Sequence, residues 1–191
     1  MGPGRLYDVI GASQLDFGCG SLRGGRFFIS YLQAGHYYGV EPNQWLVQEA
    51  LREELGEDIL TVKSPHFSAA DDFSVPFDVR FDVIVALSIF THTGKDIMRR
   101  LFATFFVGDA DETRSGWFYF DNFPKGESVL AAYTEPTIRA FAADAGLHAR
   151  RIHFWHPANQ QWFLFSPSQQ ALPTPEQEAR FTGLNILPPL P

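Results

Sequence analysis

Short apolar runs, each followed by a turn and then by a stretch of helical period, recur along the chain and restrict the folds open to it. Such alternation argues for a parallel sheet covered by helices on both faces, the α/β class. Residues 15–17 read as the first strand, closed by Gly18 and Gly20. The helix after it would carry Phe27, Phe28, Tyr31 and Leu32 on one face, with Gly35 as its C-cap. Residues 37–40 read as the second strand. Glu41-Pro42-Asn43 then turns into a helix with Val47, Leu51 and Leu55 at i, i+4 and i+8, ended by Gly56. Residues 59–62 are a weaker third strand, and the continuous apolar run 81–87 suits a central fourth.

Thr93 is placed to cap a helix carrying Ile97, Leu101 and Phe105, and residues 117–120 form a fifth strand. Thr134-Glu135-Pro136 opens a further helix that would bury Ile138, Phe141, Ala142 and Ala145, with Gly146 past its end. Residues 150–155 and 161–165 are close enough in sequence to pair antiparallel through a short loop. Six of the 13 prolines fall in residues 167–191, so that stretch is expected to be a Pro-rich tail with no packed element, after a domain spanning residues 1–166.

With 191 residues, 45% of them hydrophobic, the chain can bury the core of a single domain. Its net charge of −7 disfavours a nucleic-acid partner, which needs a basic face to displace counterions. Cys19 is the one cysteine, which excludes an intrachain disulfide and a cysteine-built zinc site and fits a reducing cytoplasm. No apolar run approaches the length of a membrane span, and the first residues lack a signal peptide's apolar stretch. The expectation is a soluble, cytoplasmic protein without a nucleic-acid or membrane partner; its oligomeric state leaves no mark in the sequence.

A glycine-rich turn between a strand and a helix lets the backbone approach a ligand closely, and the N–H groups of the helix start favour an anion. In the dinucleotide fingerprint Gly-x-Gly-x-x-Gly, counting from Gly18, Arg23 stands where the third glycine belongs, which disfavours nicotinamide cofactors. The chain instead has an acid two residues before the first glycine, Asp16-x-Gly18-x-Gly20, and a second carboxylate, Glu41, ending the next strand. Both would face the crevice at the carboxyl ends of the strands. There a carboxylate can accept from both ribose hydroxyls, and a short Asp can meet an ammonium. Taken singly, each acid is as readily a solvated turn residue or a loop cap; together and in this order they point to a cofactor that joins an amino acid to adenosine.

These residues resemble a known family. Leu15-Asp16-Phe17-Gly18-Cys19-Gly20 is similar to motif I of class I S-adenosylmethionine-dependent methyltransferases, and Tyr38-Gly39-Val40-Glu41 to their acidic motif on strand two. The resemblance runs from about residue 15 to 165. It extends to a bacterial subgroup through Gly18-Cys19-Gly20-Ser21-Leu22-Arg23-Gly24-Gly25-Arg26, through Glu41-Pro42-Asn43, and through the stretch from Phe81 to His92. It implies a three-layer Rossmann-like fold whose mostly parallel, seven-stranded sheet ends in an antiparallel strand. It also implies a cofactor site, with Asp16, Gly18 and Gly20 around the methionine part, Glu41 on the ribose, and Cys19, Arg23 and Pro42 among the cofactor-binding residues. Asp72 and Phe73 would lie beside the adenine, and Leu87 and Ser88 would form the floor under the sulfonium. Asp72 reads equally well as a loop acid in Asp71-Asp72-Phe73-Ser74. The stretch before motif I is shorter than is usual in the family, which implies a reduced lid over the cofactor.

Methyl transfer is one displacement at an already activated carbon, so positioning supplies much of the acceleration and a base is optional. His92, just past the fourth strand, is the candidate base, although a histidine that only bonds its own helix start is the commoner case. His153 and His156 flank Trp155 without metal-ligand spacing, and no metal is expected. Arg23 and Arg26 oppose the helix dipole, which hints at a ligand or, more commonly, a neighbouring acid. Tyr133, Phe90, Phe123 and Trp155 would make an apolar acceptor pocket. The expected function is methylation of a small-molecule acceptor at oxygen or nitrogen; the alternative is a scaffold or regulatory protein that keeps the cofactor fold without turnover.

Overall fold

The computed structural model describes residues 10–89, 95–105, 115–120, 134–153 and 161–182. They fall into two units, Met1–Leu87 and Ser88–Pro191. In the first, β1 (Gln14–Phe17) lies between β2 (Tyr37–Val40) and β4 (Val83–Ala86), and β3 (His66–Ser68) lies outside β2; all four run parallel. Every residue of β1 is buried, as expected of a strand with neighbours on both edges. Phe17 stands beside Val40, so the residues that follow them, Gly18 and Glu41, emerge at the same end of the sheet.

Helix α1 (Gly25–Tyr31) buries Gly25 and Ile29, and Leu32 behind it is buried too. Phe28 is half-buried, whereas Phe27 and Tyr31 are 66% and 48% exposed, contrary to the face expected from the sequence. Four aromatic and aliphatic residues of similar hydrophobicity offered two candidate stripes. The stripe containing Gly25 packs inward, because only a residue without a side chain lets α1 settle on Tyr37. Helix α2 (Gln44–Ala50) continues as a π-helix over Leu51–Leu55 and stops at Gly56, whose φ is +83°. Val47 and Leu51 are buried with Leu22, Ile29, Leu32 and Tyr37 in one cluster.

The third strand is a correction. Residues 59–62 are helical, in α3 (Ile59–Lys63), and the strand is β3, three residues further along. Thr61 and Val62 both donate to the Asp58 carbonyl, closing a helical turn, and Leu60 and Val62 are exposed, so their apolar character does not signal burial. Ser64 leaves the helix in the left-handed region before Pro65, which disfavours helical backbone in the residue it follows.

In the second unit, α4 (Lys95–Phe105) buries Met98, Leu101 and Phe102, while Ile97 is half-buried; Thr93, its expected cap, lies outside the described residues. Strands β5 (Ser115–Phe120) and β6 (His148–Ile152) each pair antiparallel with β7 (Gln161–Ser166), so the expected antiparallel pairing of the last two strands is present. Between β5 and β6, α5 (Glu135–Asp144) buries Ile138, Phe141 and Ala142, and Gly146 follows it with a φ of +72°. Ala145, expected to be buried, is half-buried at the helix end.

The region past Ser166 is a second correction. A 3₁₀ turn (Gln169–Ala171) leads to buried Leu172 and Pro173 and then to α6 (Pro175–Thr182). Thr174 and Gln177 form a reciprocal cap: the Gln177 N–H donates to Thr174 Oγ1 and the Thr174 N–H to Gln177 Oε1. Pro175 occupies the first helical position, where its missing N–H costs nothing. Among the described residues no helix is long and apolar enough to cross a membrane.

Candidate functional site

At the carboxyl ends of β1 and β2 the chain makes a tight turn. The N–H groups of Gly18 and Cys19 both donate to the Val40 carbonyl, at 2.8 and 3.1 Å. Gly18 and Gly20 have φ values of +72° and +52°, a region open to glycine at little cost. Leu22 shares the left-handed conformation at +55°, held by its complete burial. The Glu41 carboxylate lies against this turn: Oε2 accepts the Gly20 N–H at 3.0 Å and Oε1 the Asn43 N–H at 2.9 Å. Gln44 secures the same corner, donating from Nε2 to the carbonyls of Glu41 and Ser68.

Asp16 is 3% exposed and accepts the Tyr37 hydroxyl on Oδ2 at 2.8 Å. Burial raises its pKa to about 6, with a smaller push from the Glu41 charge, against the lowering effect of the Tyr37 hydrogen bond. Among the described residues, neither Asp16 nor Glu41 has a lysine or arginine in ion-pair contact. Two largely buried carboxylates therefore flank a glycine turn with no lysine or arginine of the described residues in ion-pair contact.

The remaining residues expected at the site have varied places. The Cys19 side chain turns into the core: a Cβ on Gly39 would come within 2.9 Å of its sulfur, and burial pushes the thiol well up, so only its backbone can face a ligand. Arg23 and Pro42 are exposed. Arg26 resolves as an ion pair with Glu54, its guanidinium also lying over the Phe27 ring. Leu87 is half-buried and lies against Gly24, where a Cβ would be 3.7 Å from its Cδ2. Phe73 and Ser88 adopt φ values of +66° and +62°, strained for residues with side chains. Asp72 is exposed and accepts the Ser74 N–H at 2.9 Å, an Asx turn, which is the loop-acid arrangement. His92, Tyr133, Phe90, Phe123, Trp155 and His156 lie outside the described residues. His153 is described, on β6's end, with Nδ1 3.0 Å from Glu178. Among the described residues no three His, Cys, Asp or Glu side chains converge as a metal would require.

Tyr37 and Gln44 were missed by the sequence reading. Tyr37 had a signal: paired residues of parallel strands share a face, Asp16 pairs with Gly39, and Tyr37 lies two residues before Gly39. Its hydroxyl reaches Asp16 on that shared face, and a buried tyrosine hydroxyl needs a partner.

Residues 15–106 match the family model described as a methyltransferase domain. No curated protein matches the chain in sequence. Among solved structures, the magnesium protoporphyrin IX methyltransferase ChlM from Synechocystis PCC 6803 with bound SAM is similar at 18% identity and a TM-score of 0.63, over 84% of this chain and 72% of that one. CalS10, an amino pentose methyltransferase from Micromonospora echinaspora solved with bound SAM, is similar at 15% identity and a TM-score of 0.62, over 82% and 84% of the two chains. The mitomycin 7-O-methyltransferase MmcR is similar at 14% identity and a TM-score of 0.62, over 85% of this chain and 51% of its own. The chain shares the fold of these methyltransferases, and the segment similar to the methyltransferase-domain model holds β1, the glycine turn and Glu41.

Proposed function

We propose that the protein is an S-adenosylmethionine-dependent methyltransferase that methylates a small-molecule acceptor at oxygen or nitrogen. The observation that carries this reading is the pair of buried carboxylates, Asp16 and Glu41, around the left-handed turn at Gly18 and Gly20, with no lysine or arginine of the described residues in ion-pair contact. S-adenosylmethionine is net cationic and brings both an ammonium and a ribose diol to such a crevice. The Glu41 oxygens use one backbone donor each, which leaves lone pairs for the two ribose hydroxyls. Asp16 receives the ammonium, the turn admits the carboxylate end close to its backbone, and Phe73 and Leu87 flank the adenine and the sulfur. Arg23, at the turn's exposed rim, is available to the methionine carboxylate. Asp72 is the weakest member, since its Oδ1 is engaged by Ser74.

When bound, the cofactor would supply an activated methyl group for displacement by an acceptor lone pair. The chain holds donor and acceptor in line and excludes water, and His92, four residues past Ser88, takes the acceptor's proton. The seven-stranded sheet of the family belongs to the same reading. So does a cytoplasmic location. The small-molecule acceptor is favoured by the acidic charge and by the porphyrin, amino-sugar and mitomycin methyltransferases that share the fold. Titration calorimetry with S-adenosylhomocysteine tests the cofactor, and folded protein that binds none at high micromolar concentration overturns the reading. Binding without methyl transfer to a broad acceptor panel would instead mark a scaffold.

A further inference from the structure

Tyr37 opens β2 and is 2% exposed. Its ring meets Phe67 of β3 edge to face at 5.9 Å, and its hydroxyl reaches Asp16 on β1. The same hydroxyl fills the place that a side chain at Gly25 would take: a Cβ there would fall on the oxygen and lie 3.2 Å from the ring carbon that bears it. Gly25 is the first residue of α1 and stands five residues past Gly20. One phenol tip thus sits between the acid at the end of β1 and the helix that leaves the glycine turn. We propose that Tyr37 is a positioning residue for cofactor binding, its hydroxyl tying Asp16 to the start of α1 so that the carboxylate and the Gly18–Gly20 turn form one preformed receptor for the cofactor's amino-acid end.

This rests on the reading of Asp16 and Glu41 as cofactor ligands. The physical case is preorganisation: an acid that must meet an ammonium in a buried place binds better when its rotamer is already fixed and its charge already has one donor. Tyr37 supplies both, occupying Oδ2 and leaving Oδ1 to a ligand. Among the described residues, the other titratable groups that act on Asp16 are Tyr37 itself, Cys19 of the turn, whose thiol stays protonated, and the Glu41 carboxylate; Gly25 of α1 and Phe67 of β3 lie against the Tyr37 ring. The ammonium needs Asp16 ionised. Burial holds that ionisation near pH 6, and the Tyr37 hydrogen bond keeps it from rising further. Removing the hydroxyl therefore moves the loss of cofactor affinity to higher pH.

The test is titration calorimetry with S-adenosylhomocysteine from pH 5 to 8 on the full chain, for wild type, Tyr37→Phe and Asp16→Asn, with thermal unfolding of each. Wild type should bind more weakly below about pH 6, and Tyr37→Phe should show the same step moved up by about half a unit or more, binding ~3–10-fold more weakly near pH 6.5. Asp16→Asn should lose the step. The steric half of the inference is read from Gly25→Ala, which should cost more affinity in wild type than in the Tyr37→Phe background, where the oxygen it would strike is gone. Tyr37→Phe with the wild-type profile, or with one uniform loss at every pH that tracks a lowered melting temperature, overturns the proposal. So does a Gly25→Ala effect that is equal in both backgrounds. Wild-type protein that is folded but binds no S-adenosylhomocysteine overturns the site reading itself, a result separate from these.

Discussion

Asp16 in the first unit and Glu178 in the second are both carboxylates taken almost wholly out of water, 3% and 8% exposed, and the chain treats them in opposite ways. Glu178, on α6, is surrounded by donors of its own unit: Arg150 Nη2 at 2.9 Å and Nε at 3.3 Å, the His153 N–H at 2.9 Å and the His153 ring at 3.0 Å. Burial works to raise its pKa, and the hydrogen bonds from His153 and Arg150 outweigh that and lower it. Asp16 has one neutral hydroxyl and a neighbouring carboxylate, and its pKa stands raised at about 6. A carboxylate that the chain neutralises is a fastener. A carboxylate that the chain buries and leaves charged beside another acid costs stability, and a site that binds a cation gives that cost a purpose.

The largest expected effect comes from removing the acid that touches the glycine turn. Glu41→Ala takes away the acceptor for the Gly20 and Asn43 N–H groups and, on the proposed reading, for the ribose hydroxyls, and should weaken S-adenosylhomocysteine binding by ~100-fold or more, about 3 kcal/mol. Calorimetry on the variant beside wild type measures it. A change of less than about threefold would break the contrast, because Glu41 would then be a fastener like Glu178.

Next in size is Asp16→Asn, which should separate stability from binding. The folded pKa of Asp16 is raised from 3.8 to about 6, so between these values the folded state binds more protons than the unfolded one, and stability falls as pH rises through that window. Above it the ionised acid costs up to about 3 kcal/mol, by the usual 1.36 kcal/mol per pKa unit. The asparagine variant should therefore be more stable than wild type to urea at pH 7.5, lose that advantage near pH 4, and bind S-adenosylhomocysteine less well. A variant less stable than wild type at pH 7.5 contradicts this.

Both carboxylates bear on what could be read from the residues. The strands β1, β2 and β4 and the turn at Gly18 and Gly20 were legible because continuous apolar runs and paired glycines have few other uses. The third strand was not: His66-Phe67-Ser68 has no period to detect, and none of the three is fully buried. The inward face of α1 depended on Gly25 meeting Tyr37, a contact between elements that local hydrophobicity cannot rank. Asp16 and Glu41 could be singled out by their spacing from the glycines, but the Tyr37 bond that governs Asp16 required the register of β1 on β2. Helix α6 was hidden by its prolines, although Thr174-Pro175-Glu176-Gln177 carries a capping-box spacing with proline at the first helical position. Glu178 owes its role to Arg150 and His153, more than 20 residues away.

Glu178→Ala should be the reverse of Asp16→Asn. It leaves Arg150, whose side chain is 25% exposed, and the His153 N–H without their acceptor, and should destabilise the protein by about 1–2 kcal/mol at pH 7. Because the folded pKa of Glu178 is lowered from 4.5, its contribution is fully present above that value and fades as pH falls through the folded one. Wild type and variant should thus converge in acid, where Asp16 is at its least costly. Hydrogen exchange of the α6 amides should rise in the variant, with S-adenosylhomocysteine affinity unchanged; a fall in that affinity would show that the two carboxylates are not independent.

The smallest effect isolates burial from pairing. Arg52 bonds Glu53 at 2.7 Å and Glu49 at 2.9 Å, as short as any contact of Glu178, yet all three side chains are more than half exposed. In water the attraction between such groups is screened and offset by the entropy of holding long side chains still. Arg52→Ala should leave the urea midpoint where it is in wild type, at low salt and at high salt alike. A shift as large as that of Glu178→Ala would mean that pairing alone, without burial, makes a fastener of a carboxylate, and the distinction drawn between Asp16 and Glu178 would then rest on their partners and not on the water excluded around them.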